Sequence, residues 1–157
     1  MKRPILLLLL VIPFCFGSLS AQKQIKDFEG LMDALNGGSP VRLTIYYADC
    51  KLVIDGKEVD KKIDAVGGMS MDVYEYFAKG AVYNKKAFVV SSTSKLIANP
   101  LGDGFTYNYA KVKVYDDGEV QLLAQYIDPK TFEINMSETF HTTLNNGKNE
   151  GAAFFYK

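Results

Sequence analysis

The sequence predicts an α+β domain, mainly antiparallel β, with an N-terminal helix packed on a curled sheet of about seven strands, a partial barrel or a sandwich. Three observations predict it. Apolar residues recur at three- and four-residue intervals once, at Ile25, Phe28, Leu31, Met32 and Leu35, which marks one face of a helix. From Val41 onward the apolar period falls to two, the period of a half-buried strand. Glycine, asparagine, aspartate and proline then interrupt the alternation at short intervals, as hairpin connections do.

The helix starts near Asp27, whose carboxylate suits the free N–H groups and the positive end of the dipole. Asn36-Gly37-Gly38 ends it, and Ser39-Pro40 turns the chain out of helix. Val41, Leu43, Ile45 and Tyr47 alternate with Arg42, Thr44 and Tyr46, giving a strand with one wet face. Residues 54–66 are charged, carry Asp55-Gly56, and read as an exposed loop or small hairpin. Gly67-Gly68 opens a strand through Phe77, with Met69, Met71, Val73 and Phe77 on one face. Lys79-Gly80 makes a turn before a short strand over Ala87–Ser92, and Asn99-Pro100 with Gly102-Asp103-Gly104 breaks the chain again. Phe105–Tyr115 and Val120–Ile127, joined by Asp116-Asp117-Gly118-Glu119, form the clearest hairpin. Asp128-Pro129-Lys130 leads into a strand over Thr131–Phe140 with Phe132, Ile134 and Met136 inward. Asn145-Asn146-Gly147-Lys148 is a turn, and Gly151–Lys157 is a terminal strand.

The first segment is of another kind. Lys2 and Arg3 precede an unbroken apolar run, Ile5–Ile12, and small and polar residues follow through Ser18-Leu19-Ser20-Ala21-Gln22. That order is the basic, apolar and small-residue sequence of a secretory signal peptide over 1–21, cleaved after Ala21, with a cut after Ser20 as the nearest alternative. The run is too short to span a bilayer, which takes about 20 apolar residues, and Pro13 and Gly17 interrupt it. Residues 22–157 are then a single domain. Cleavage removes Lys2 and Arg3 from the 18 basic residues and none of the 18 acidic ones, so the mature chain is slightly acidic. Neither nucleic acid nor an integral membrane span is expected of it. With 48% apolar and 23% charged residues, the composition excludes a disordered tail. Cys15 leaves with the leader, so Cys50 remains alone and no internal disulfide forms.

No reaction is legible. His141 is the sole histidine, follows Phe140 at a strand end with no nucleophile elbow beside it, and reads as a surface residue. One cysteine and one histidine cannot make a zinc site, and no phosphate-loop or dinucleotide fingerprint is present. No cofactor, metal or catalytic residue is assigned. Asp116, Asp117 and Glu119 cluster at a hairpin tip, where turn chemistry explains them better than a carboxylate pair or a weak calcium site. Cys50 reads as a small half-buried hydrophobe; the alternatives are a thiolate helped by Lys51 or a disulfide between chains. Asn135-Met136-Ser137 fits the N-glycosylation pattern on the solvent side of its strand. Tyr107 with Tyr109, and Tyr74 with Tyr76, make pairs at period two. Such stripes serve as core or cross-strand pairs, or line a ligand groove or partner surface.

The order of local motifs resembles the VirK family of small exported proteins. They are Ala34-Leu35-Asn36-Gly37-Gly38, Pro40-Val41-Arg42, Asp49-Cys50-Lys51, Gly67-Gly68 with Tyr74, Tyr109-Ala110-Lys111-Val112, Asp117-Gly118-Glu119-Val120, and Ile127-Asp128-Pro129-Lys130-Thr131-Phe132. The resemblance runs from about Phe28 to Phe155 and implies export and a compact domain, with no catalytic residues to carry over. It also implies a second cysteine near the C terminus, and Phe140–Leu144 holds none. The functional expectation is a secreted, non-enzymatic domain that binds a protein or small molecule, extracellular, or periplasmic in a Gram-negative host. Alternatives are a structural component of an extracellular matrix and, further off, a small hydrolase.

Overall fold

The computed structural model describes residues 22–157, so the leader expected at 1–21 lies outside the described residues. Among the described residues, two antiparallel sheets and one short helix make up the fold. The helix is α1, Phe28–Asn36; the strands are β1 Gln24–Ile25, β2 Arg42–Tyr46, β3 Lys51–Ile54, β4 Lys57–Val59, β5 Val66–Ser70, β6 Tyr74–Phe77, β7 Phe88–Ala98, β8 Phe105–Tyr115, β9 Glu119–Ile127, β10 Ile134–Thr143 and β11 Ala153–Tyr156. A four-stranded sheet has the order β1-β11-β2-β5, and a seven-stranded sheet the order β4-β3-β10-β9-β8-β7-β6. The sequence predicts a curled sheet of about seven strands, a partial barrel or a sandwich; among the described residues eleven strands divide between two sheets, and neither sheet closes on itself.

The Asp27 carboxylate caps α1 by accepting from the Gly30 N–H at 2.8 Å. The helix begins later than the apolar spacing suggests. Ile25 belongs to β1 and pairs with Phe155, so the two ends of the described chain are neighbours. Asp55 and Gly56 both have positive φ, as a two-residue turn between β3 and β4 requires. The β8–β9 hairpin matches expectation closely, and Gly118 (φ 85°) takes the left-handed position of its three-residue loop.

Three segments depart from the sequence reading. The strand expected from Gly68 to Phe77 is cut at Asp72-Val73 into β5 in one sheet and β6 in the other. Met69 and Met71 are buried, while Val73 is 74% exposed at the crossing. β7 runs on to Ala98 because Ser92–Ala98 stays paired with β8 along its whole length. Phe132 and Ile134 face solvent rather than the core. Phe132 sits in a turn with φ 60°, and a register shift between Ile134 and Met136 carries Ile134 to the outer face.

One core joins both sheets and the helix. Leu31 and Leu35 of α1, Leu43, Ile45 and Phe155 of the smaller sheet, and Leu52, Val89, Val112, Leu122 and Phe140 of the larger all belong to it. Tyr47, in a 3₁₀ turn at Tyr47–Asp49 between the sheets, packs its ring on Phe140 with centroids 4.4 Å apart. The same ring covers Gly67, where a Cβ would come 2.1 Å from the Tyr47 hydroxyl oxygen. Burial pushes the Tyr47 phenol up to about 12. Asn145 ties the C-terminal turn, donating to the Gly151 carbonyl at 2.7 Å and accepting from the Gly147 N–H at 2.9 Å.

Candidate functional site

Residues directly opposite in an antiparallel ladder share a face, so the register sorts the seven-stranded sheet into two sides. Val112, Leu122 and Phe140 stand in one cross-strand row on the core side. Tyr107 and Tyr109 have the opposite parity on β8 and lie on the outer side, half-buried by their neighbours. Tyr74 and Tyr76 stand opposite Ser91 and Val89 on the core side at the sheet edge. Tyr74 packs against the core and donates from its hydroxyl to Asn36 Oδ1 at 3.5 Å, whereas Tyr76 is 50% exposed. The four tyrosines therefore do not converge on one surface.

Around Tyr107 a larger feature appears. Leu96 pairs with Tyr107, Tyr107 with Ile127, and Ile127 with Ile134, so four apolar side chains cross four strands in one outer row. At strand spacings of about 4.8 Å such a row is roughly 15 Å long. Leu96 and Ile134 are 54% and 56% exposed, and Phe105, one step further along β8, is 65% exposed. Tyr109 flanks the row on the other side, in the pair register with Ser94 and Gln125. The sequence reading nominates none of Leu96, Phe105, Ile127 and Ile134 as a site residue, and it places Ile134 inward. The register shift that reorients Ile134 carries no glycine or proline signal.

Polarity reverses toward the β8–β9 turn. Lys86 contacts Asp117 and reaches Glu119 Oε2 at 2.9 Å. Its ammonium holds the Asp117 carboxyl below the usual carboxylate range, and the two carboxylates raise the lysine in turn. His141 lies on the same outer face, its Nδ1 3.9 Å from Glu119 Oε1, while Asp116 accepts from the Ala87 N–H at 3.2 Å. The acidic cluster is thus occupied by a lysine and by turn hydrogen bonds. Among the described residues no group of three or more His, Cys, Asp or Glu side chains is placed to hold a metal ion.

Cys50 is half-buried against the core, and its thiol donates to the Tyr46 carbonyl at 3.3 Å. Burial pushes it up to about 11, against a smaller opposing pull from the Thr142 hydroxyl. Lys51, which the alternative reading makes a helper of the thiolate, is exposed and lies 3.9 Å from Glu58. The geometry is that of a small hydrophobe, not an activated thiolate. Asn135 is exposed at the register shift of β10.

Among the described residues, two sheets on one core, one short helix and an exposed apolar row define a small antiparallel β protein. Among the described residues no helix is long and apolar enough to cross a membrane. The family description "VirK protein" matches residues 24–132, and the chain belongs to the VirK family. The crystal structure of lpg1832, a VirK family protein from Legionella pneumophila, shares the fold with a TM-score of 0.63 at 14% identity, over 85% of this chain and 98% of that one. No curated protein matches the sequence.

Proposed function

We propose that the protein is an exported, non-enzymatic interaction domain that docks another protein on the outer face of its larger sheet. The observation that carries this reading is the row Leu96, Tyr107, Ile127 and Ile134 with exposed Phe105 beside it. Contiguous exposed apolar surface is costly in water and marks interaction sites. The row crosses four strands and is exposed at both ends, Leu96 and Ile134, an extent that suits a protein surface. Tyr107 and Tyr109 add rings with polar tips, a residue type enriched where partners dock. Export is read from the leader over 1–21.

Leu96→Lys with Tyr107→Glu places two charges in the row without touching the core. The double variant is expected to keep the native circular dichroism and melting temperature. It is also expected to lose, by tenfold or more, the protein that wild type captures by cross-linking in the native compartment. Intact mass of the native chain should begin at Gln22. Equal capture by the variant refutes the docking surface, and a native mass that includes residues 1–21 refutes cleavage.

A further inference from the structure

A second surface, on the opposite side of the larger sheet from the apolar row, carries a different chemistry. β5 is the last strand of the four-stranded sheet, and among the described residues no strand pairs with its far side. Its hydrogen-bond phase follows from the bonds at its two ends. Met71 N–H donates to the Val41 carbonyl at 2.9 Å, and Tyr47 N–H donates to the Ala65 carbonyl at 3.0 Å. With the side-to-side alternation of an antiparallel ladder, Ala65, Gly67, Met69 and Met71 turn their main chain toward β2. Val66, Gly68 and Ser70 therefore direct N–H and C=O groups to the open side.

A second open edge faces the same space. β6 covers β7 from Phe88 to Ser91, and from Ser92 to Ala98 no strand among the described residues pairs with that side of β7. The chain crosses between the two edges at Asp72-Val73, and the crossing is held by the Ser91 hydroxyl, which donates to the Val73 carbonyl at 2.7 Å. The space is a groove of about 510 Å³, with Gly68 and Ser70 on one wall and Thr93 and Lys95 on the other. Arg42 and Asp72 also line it. Arg42, Lys95 and Asp72 are exposed, and none of the three has an ion-pair partner among the described residues. Two unpaired cations against one carboxylate leave the groove positive.

Natural sheets protect exposed edges with proline, bulges or inward charges. β5 has none of these. Its glycine pair offers little side-chain obstruction, and Gly67 is already explained by the Tyr47 ring above it. We infer that this groove takes an extended peptide segment bearing a carboxylate, which adds to β5 as a fifth strand and sets its negative charge between Arg42 and Lys95. Main-chain bonds to Gly68 and Ser70 supply the pairing, and the two cations select the charge. The carboxylate belongs either to an Asp or Glu side chain or to a free C terminus.

The test uses fluorescent heptapeptides alternating Val or Thr with Asp, Glu or Lys, each made with a free and an amidated C terminus. Acidic peptides are expected to bind at least tenfold more tightly than their lysine counterparts, with slowed amide exchange at Gly68 and Ser70. N-methylation of alternate peptide amides should remove binding in one phase and spare it in the other. Arg42→Glu and Lys95→Glu, both at exposed positions, should each weaken binding about tenfold. Persistence of binding after amidation assigns the charge to a side chain; its loss assigns it to the C terminus. Lys peptides binding equally well, or no peptide slowing exchange at Gly68 and Ser70, overturns the inference. The Leu96→Lys, Tyr107→Glu variant should bind these peptides normally, which separates this surface from the apolar row.

Discussion

Replacing Phe140 with alanine is expected to destabilise the protein by about 3–5 kcal/mol, a large share of the roughly 5–15 kcal/mol typical of a domain. Phe140 is 2% exposed and stands between Leu52 of β3 and Leu122 of β9, each also 2% exposed. Its ring meets Tyr47, which in turn lies over Gly67 of the other sheet. A void at Phe140 would thus open where the two sheets meet. The backbone of Tyr47 is held in its 3₁₀ turn by main-chain bonds to Ala65 and Cys50, so the turn itself does not collapse into the void. The urea midpoint should fall with little change in slope. Phe140→Leu, which keeps most of the volume, should cost less than about 1.5 kcal/mol. A loss below 1 kcal/mol for the alanine variant would remove this ring from the join.

The second large effect is a gain. Introducing a cysteine by Thr142→Cys is expected to close a disulfide with Cys50. Register pairs Lys51 with His141 and Leu52 with Phe140, which sets Cys50 opposite Thr142, and the Thr142 hydroxyl is close enough to act on the thiol. The bridge would close a loop of roughly ninety residues and stabilise by about 2–4 kcal/mol. Against this, Thr142 Oγ1 accepts from the Ala152 N–H at 2.9 Å, and losing that bond costs about 1 kcal/mol. The oxidised variant should titrate with no free thiol, migrate as a monomer, and melt above its reduced form. Two free thiols in the oxidised protein, or a dimer, would contradict the placement. The position lies within Phe140–Leu144, where the resemblance to VirK proteins implies a second cysteine that this chain lacks.

Legibility in the sequence tracked how local the determining contacts are. The β8–β9 hairpin was readable because alternation and an Asp-Gly turn are both local signals, and β8 has the expected ends. The transfer of the chain from one sheet to the other at Asp72-Val73 was not readable. It is set by long-range hydrogen bonds, from Met71 to Val41 and from Ser91 to Val73, with no glycine or proline at the switch. The continuation of β7 through Ser92–Ala98 was missed for a related reason. Its serines, threonine and lysine show no apolar alternation, and the strand exists because β8 pairs with it.

The candidate surface was half legible. Tyr107 and Tyr109 stood out by period, but their side of the sheet depends on which parity the core takes, and Val112 and Val114 settle that. Leu96 lay beyond the expected end of its strand. Ile134 was assigned inward because one residue of register shift reverses every side chain before it. The open groove beside β5 depends on strand order, which no local pattern encodes.

Hydroxyl-radical footprinting tests the docking surface most directly. The protein is labelled in its native compartment and again after purification, and modification is read at Leu96, Phe105, Tyr107, Tyr109 and Ile134. Severalfold protection of these residues in the native sample, with Phe132 and Tyr83 modified equally in both, is the result expected of an occupied apolar row. Equal modification at all of them in both samples would contradict it.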